Sequence, residues 1–385
     1  MNQMTLSKKN LTPFSKVIPV VEIKTVTWSR DSHNLFDYDN SYYDMKKFIL
    51  GSSANLIRTQ KEISVVEKDD ADLPRDDLLL SIDKKANSHD YCISIRQNQL
   101  KARADSKTHL VIRSIKEKDG KTQKGYELQA GNVLKFGRVE YRINSIRTGS
   151  SAQCLQHISW SNYPEQEWVY DCDILSAIEP ESARDVCKYC FSEDISDDPL
   201  DNLILKPCDC TGSAGVVHYR CLKDWIKYKV VRKSTNSVTY LQWDQLHCEI
   251  CLSPFPSKVK FNNALHDFVT LEKPSSPHIV FEKMDPDPKQ SSFILVEAPE
   301  AEEFTIGRGN SCDVVLKDIS ISRLHAILKY DGNSFKLYDN ESKFGTLVQL
   351  DEDIPICANK AAVQIGRTVF TFVMKKMPIG YFGEE

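Results

Sequence analysis

The sequence predicts a multi-domain chain in which two mainly-β sandwiches flank a small α+β module braced by cysteine and histidine side chains. Three observations carry that reading. Eight Cys and His residues fall into four close pairs between Cys187 and Cys251. Residues from 277 to 377 read as short strands, such as FTIGR, HAILKY, SFKLYD and VFTFV, separated by the turn signals at Arg308–Asn310, Asp331–Asn333 and Asp339–Asn340. Short strands with regular turns imply an all-β sandwich. The region before the cysteines repeats the spacing of the tail half, with 44 residues from Ile93 to Gly137 and 45 from Ile321 to Gly366.

The composition sets outer bounds. A chain of 385 residues has room for two to four domains, and 41% hydrophobic with 27% charged residues is a globular balance. A formal net charge of −4 gives no basic field, so no nucleic-acid partner is expected. No apolar run is long enough to span a membrane, and the start MNQMTLSKKNLTPF lacks a signal-peptide core. The expected location is intracellular, cytoplasmic rather than nuclear. The twelve cysteines are then read as thiols or metal ligands rather than disulfides, with Cys92, Cys154, Cys172, Cys312 and Cys357 as isolated packing residues.

Along the chain the expected parts are a disordered N-terminus (1–15), an N-terminal sandwich (16–150), a linker (151–182), the cysteine–histidine module (183–256), a second linker (257–276), the tail sandwich (277–377) and a short tail (378–385). The first sandwich begins with VIPVVEIKTVTW and ends with LQAGNVLKFGRVEYRI, whose Gly137-Arg138 matches Gly366-Arg367 in AAVQIGRTVFTF. The first linker carries Trp160, Tyr163, Trp168 and Tyr170, aromatics able to dock it onto a domain.

The central module reads Cys187-x2-Cys190, Cys208-x-Cys210, His218-x2-Cys221 and Cys248-x2-Cys251. Zinc in a structural site takes four such ligands, so eight imply two Zn2+ ions. His247 adjoins Cys248, and the two-residue spacing favours Cys248 as the ligand. From Cys221 to Lys233 the chain reads CLKDWIKYKVVRK, with Leu222, Trp225 and Ile226 on one face of a basic helix. EDISDDPLD (193–201) reads as a solvated acidic loop, and STNSV as a loop within the 26-residue gap before the last pair.

The ligand order, with His in fifth place, is shared by RING-variant (RING-CH) zinc fingers of ubiquitin ligases and by PHD fingers, which read histone tails. The single residue inside the second pair, the seven residues before His218 and Trp225 four residues after Cys221 resemble the RING-variant pattern. A PHD finger has an aromatic where this chain has Leu246. The RING-variant resemblance implies a cross-brace, with Cys187, Cys190, His218 and Cys221 on one zinc and Cys208, Cys210, Cys248 and Cys251 on the other. It also implies that Trp225, with Tyr189 of the first zinc loop, grips a ubiquitin-conjugating enzyme. Tyr189 stands where that family usually has an aliphatic residue.

The tail stretches IGRGNSCDVVLKDISISRLHA and LYDNESKFGTLV resemble a forkhead-associated (FHA) domain, a phosphothreonine reader. The resemblance implies phosphate contacts from Arg308 and Ser322, with charge from Arg323 or Lys343, and structural roles for Gly307, His325, Gly345 and Thr346. A planar guanidinium and a short hydroxyl suit a dianionic phosphate. Phe344 occupies the place of the family's ligand-holding Asn. The N-terminal copy is similar to a degenerate FHA domain: Leu79 stands near the place of Gly307-Arg308, Ser94 matches Ser322, Leu100-Lys101 matches Leu328-Lys329, and Gln97 replaces His325.

The resulting expectation is a RING-type ligase with no catalytic residue of its own. It would dock a conjugating enzyme and hold a phosphothreonine protein close by, so that rate arises from proximity. The alternative is a non-enzymatic phospho-dependent adaptor in which both kinds of module only bind.

Overall fold

The computed structural model describes residues 17–28, 35–59, 62–68, 78–85, 90–95, 107–116, 121–149, 152–154, 169–172, 186–244, 246–269, 273–284, 290–356 and 362–378. The expected disordered N-terminus, Gln97, Leu100, Lys101, Trp160, Tyr163, Trp168 and the last seven residues lie outside these. Strands dominate, as expected. The chain divides into two compact units, however, whose bounds differ from the linear partition: residues 1–126 with 338–385, and residues 127–337.

The first unit joins the two ends of the sequence. Val17–Trp28 pairs antiparallel with Tyr43–Leu50 on one side and with Thr368–Pro378 on the other, the latter in register from Val17 opposite Pro378 to Thr27 opposite Thr368. The sheet continues through Ala362–Ile365 and Thr108–Val111 to Thr346–Gln349. A second sheet runs Ile354–Ile356, Tyr91–Ser94, Leu78–Lys84, Ala54–Thr59, Glu62–Glu67. The inward residues of both sheets, among them Val21, Ile23, Leu56, Leu80, Ile82, Tyr91, Val363, Phe370 and Phe372, close into one core. β-branched and aromatic residues at alternate positions suit a pleated, half-buried surface.

The second unit contains the central module and the first half of the tail sandwich. Its main sheet runs Val231–Ser234, Val238–Asp244, Gln290–Glu297, His278–Met284, Val139–Arg147, Val133–Phe136. A smaller sheet carries Val314–Val315, Glu302–Gly307 and Ala326–Tyr330. The strands expected to finish the N-terminal sandwich thus pair with the strands that start the tail sandwich, Glu140 opposite Met284 through Arg147 opposite His278. Hydrophobic alternation fixes which face of a strand is buried, and leaves its partner open.

The two stretches aligned in the sequence share one local detail. Phe136 pairs with Val139 and Ile365 with Thr368, so Gly137-Arg138 and Gly366-Arg367 are both two-residue hairpin loops. Both glycines have positive φ, +60° and +55°. Such loops favour a left-handed first residue, and glycine adopts it without a steric penalty.

Both expected linkers contain strands. Val169–Asp171 pairs parallel with Lys258–Phe261, which turns back through Asn262 and Asn263, at φ 51° and 60°, into Ala264–Asp267. The Tyr170 hydroxyl accepts the Lys206 amide at 3.1 Å, which docks this sheet on the cysteine–histidine module. The helix expected over 221–233 spans Tyr219–Lys229. It stops where the β-branched Val230 turns extended and Val231 enters the hairpin with Val238–Asp244. Most of the expected STNSV loop is the tip of that hairpin, closed by the Thr235 amide on the Val238 carbonyl at 2.8 Å.

Candidate functional site

The two Cys-x2-Cys pairs fold into matching knuckles. In the first, the Phe191 amide donates to the Cys187 carbonyl at 2.9 Å and the Cys187 amide to the Ser192 carbonyl at 3.3 Å. In the second, Leu252 donates to Cys248 at 3.0 Å and Cys248 to Ser253 at 2.9 Å. Phe191 and Leu252 close these turns with positive φ, 58° and 63°, unusual for bulky side chains. The Cys208-x-Cys210 pair is held differently. Gly215 lies so close to Cys210 that a Cβ would collide with the Cys210 carbonyl oxygen. Gly212, at φ +62°, starts the short helical turn between them.

These turns gather eight donor atoms into two groups. The ligand atoms of Cys187, Cys190, His218 and Cys221 lie within 4.8 Å of one another, as do those of Cys208, Cys210, Cys248 and Cys251. The pairs therefore interleave, first with third and second with fourth, and His247 stands outside both groups. A tetrahedral Zn–S distance of about 2.3 Å requires sulfur–sulfur edges of about 3.8 Å. Cys210 Sγ and Cys248 Sγ are 3.7 Å apart. In the other group His218 Nδ1 is 3.3 Å from Cys190 Sγ and 3.8 Å from Cys221 Sγ. The opposite ring nitrogen, Nε2, lies 2.8 Å from the Glu193 carbonyl and donates to it, which orients Nδ1 toward the metal position. Amides of Tyr189 and His218 both donate to Cys187 Sγ at 3.4 Å, as suits a thiolate.

The thiols compete for protons within each group. Burial, then the nearby Cys187 charge, pushes Cys221 up to about 12. At Cys187 burial works upward, but amides of Cys190, His218 and Tyr189 outweigh it and bring the thiol down to about 7. In the second group burial and the neighbouring sulfurs push Cys210 up to about 12, while hydrogen bonds from Ser253 lower Cys251 to about 6. Close-set sulfurs resist ionising together, and a divalent cation at the centre removes that conflict. The two donor sets fit two zinc ions.

The helix Tyr219–Lys229 buries Leu222 and Ile226 and carries Trp225 at a partly exposed position. Trp225 stacks on Tyr189 of the first knuckle, centroids 6.4 Å apart and planes 18° apart, and meets Phe255 edge-on at 5.5 Å. Lys229 Nζ lies 4.9 Å from the Trp225 centroid and pairs with Glu249 of the second knuckle at 2.7 Å. Ile250 and Leu252, on that second knuckle, are exposed. The sequence reading singled out Tyr189 and Trp225 but not Phe255, Ile250 or Leu252. The signal available for the last two was their place inside and just after a ligand pair.

In the same unit, the residues read as phosphate contacts sit on two adjoining loops. The Arg308 amide donates to the Ser322 carbonyl and the Gly309 amide to the Arg323 carbonyl, both at 3.0 Å. Gly307 permits this approach, since a Cβ there would collide with the Arg323 carbonyl. His325 is fully buried, accepts the Ser322 amide on Nδ1 at 3.0 Å and meets Phe136 edge-on. Arg308 and Arg323 are exposed, and neither guanidinium has an acidic partner among the described residues.

Lys343, Gly345 and Thr346 belong to the other unit. There Lys343 pairs with Asp37 at 3.4 Å and lies over the Phe344 ring. Gly345 has φ +76° and abuts Tyr38. Buried Thr346 donates its amide and hydroxyl to Asp339 at 2.9 and 2.6 Å. Asp339 also pairs with Arg113 at 2.8 Å.

Comparison with known families places a RING-variant domain at residues 187–251 and an FHA domain at residues 304–367. The chain is similar to E3 ubiquitin-protein ligase MARCHF8 of Xenopus tropicalis, 33% identical over 79 residues, which cover 20% of this chain and 23% of that protein. It is 28% identical over 118 residues to human E3 ubiquitin-protein ligase MARCHF1, covering 31% and 34% of the two chains. It is 32% identical over 96 residues to E3 ubiquitin-protein ligase MARCHF7 of Rattus norvegicus, covering 25% and 12%. The matched stretches thus span between 12% and 34% of these relatives. Among the described residues no helix is long and apolar enough to cross a membrane.

Proposed function

We propose that this chain is a RING-type ubiquitin-protein ligase that recruits phosphothreonine-containing proteins. One observation carries the reading: two interleaved four-donor clusters present the stacked Tyr189–Trp225 pair where knuckle and helix meet. Held by two zinc ions, the knuckles and helix would offer a rigid, partly apolar face to a ubiquitin-conjugating enzyme. Trp225 supplies its area with few rotatable bonds, a property of residues that dominate binding. The chain needs no nucleophile for this role. Ubiquitin would pass from the conjugating enzyme to a lysine of the recruited protein, and the ligase would contribute proximity and orientation.

Recruitment would fall to Arg308, Ser322 and Arg323. Exposed guanidiniums with no acidic partner among the described residues, on the loops that carry a half-buried hydroxyl, suit a phosphate of charge about −1.5 to −2. The test combines ubiquitin, activating enzyme and a panel of conjugating enzymes with the full chain. Chains of ubiquitin should form with at least one panel member and vanish with Trp225→Ala. Silence across the panel would leave the adaptor reading in its place.

A further inference from the structure

We infer that Tyr240, on the hairpin that follows the zinc-module helix, is a positioning residue for the Arg308 loop. This rests on the phosphothreonine reading above. It makes the zinc module a part of the phosphate reader's frame and gives the long insertion between the third and fourth ligand pairs a role.

The loop between Gly307 and Val314 has no regular hydrogen-bond ladder of its own. At its base Ile306 pairs with Val314 and Gly307 with Val315, in parallel. Inside, the Cys312 amide donates to the Gly309 carbonyl at 3.1 Å, and Asp313 accepts the Thr305 amide and hydroxyl at 2.8 and 2.7 Å. The returning strand, Val314–Val315, has only two residues and stands at the end of its sheet. A strand that short holds poorly, and its outward amides need partners.

Tyr240 provides one. Its hydroxyl accepts the Val315 amide at 2.8 Å and lies 3.4 Å from the Asp313 carbonyl, toward which it donates. Val315 is the residue opposite Gly307, directly before Arg308. Tyr240 itself is well placed to hold a position. It pairs with Lys233 on one side and Ile294 on the other, and Trp243, three residues on, stacks on Phe293 at 5.4 Å. The hydroxyl therefore ties a two-residue edge strand to a strand of the main sheet that is paired on both sides.

The test uses the full chain with Tyr240→Phe, which keeps the ring and removes the hydroxyl. Two readouts are taken beside zinc content and thermal melting: amide hydrogen exchange over residues 305–316, and affinity for a fluorescent phosphothreonine peptide drawn from a degenerate library. The expected result is faster exchange at Val315 and an affinity loss of about three- to tenfold, the scale of one hydrogen bond. Two bound zinc ions and the melting temperature should stay unchanged. A purely packing role would move melting rather than local exchange. Unchanged exchange in Tyr240→Phe overturns the inference whatever the peptide does, and so does faster exchange with unchanged peptide affinity. If the variant exchanges faster while the wild type binds no library peptide, the phosphothreonine reading falls and the positioning of the loop stands.

Discussion

Trp243 and Phe293 stack face to face with planes 12° apart, one from the zinc module's hairpin and the other from the sandwich sheet. Both belong to a cluster that includes Cys187, Cys248, Leu222, Ile226, Val280 and Leu295. Metal ligands and sandwich strands share one core. Structural zinc contributes about 10–16 kcal/mol of apparent binding free energy in small fingers, so its removal should reach beyond the ligands. A strong chelator is expected to abolish hydrogen-exchange protection in 278–297 together with that in 187–251. Trp243→Ala should destabilise this unit by about 3–5 kcal/mol in urea melts while two zinc ions remain bound. Sandwich strands that stay protected after zinc removal would show two independent cores.

Trp225 is built differently. Its ring is partly exposed and touches Tyr189, Phe255 and Lys229. Trp225→Ala should cost about 1–2 kcal/mol of stability, because part of the ring's area is already in water. Ubiquitin transfer should fall by at least about tenfold, the loss of a single hot-spot contact. Tyr189→Ala is expected to lower transfer less, and Tyr189→Ile to retain it. Zinc analysis of each variant separates lost docking from lost fold.

A fragment of residues 277–377 is expected not to fold as a monomer. Its first strand, His278–Met284, pairs with Val139–Arg147, and its last, Thr368–Pro378, pairs with Val17–Trp28. Both partners lie outside the fragment. Size-exclusion chromatography and near-ultraviolet dichroism should report an aggregate or an unfolded chain, whereas the full chain should give a sharp cooperative melt. A well-folded monomeric fragment would refute the observed pairing.

Acid should weaken the contact between the Gly137-Arg138 hairpin and the loop before Ser322. Burial pushes the Asp318 carboxyl up, but the Ser320 hydroxyl and amide and then Arg138, 2.9 Å away, outweigh it and hold the carboxyl below its ordinary range. A depressed carboxyl stabilises the fold fully above its unfolded value, near pH 4, and loses that effect as pH falls through the lower folded value. Arg138 is more than half exposed, so solvent screens the pair. Arg138→Ala should therefore cost no more than about 1 kcal/mol at pH 7. The difference from wild type should shrink toward zero as pH falls through the lowered folded value, read by urea titration at each pH.

The ligands of both metal positions were legible because thiolates that share one ion must come from tight turns, and tight turns leave fixed spacings. The Leu222–Trp225–Ile226 face was legible for the same local reason. Strand partners were not. Val21 and Ile23 announce a buried face, yet nothing in VIPVVEIKTVTW says that its neighbour is VFTFV, some 350 residues later. The Val231–Ser234 strand was hidden because all four of its residues are exposed, so no alternation marks it. Tyr240 was invisible because its partner amide lies 75 residues away.

The pairing of Val17–Trp28 with Thr368–Pro378 also governs the order in which the molecule can come into being. At about 5–20 residues per second, roughly 20–70 s separate the emergence of these two strands from a ribosome. Through that interval a twelve-residue, largely apolar strand has its later neighbour still unmade. The zinc knuckles, closed within 65 residues, can form long before. Folding during synthesis is thereby expected to have an early metal-dependent stage and a late one that waits for Thr368–Pro378.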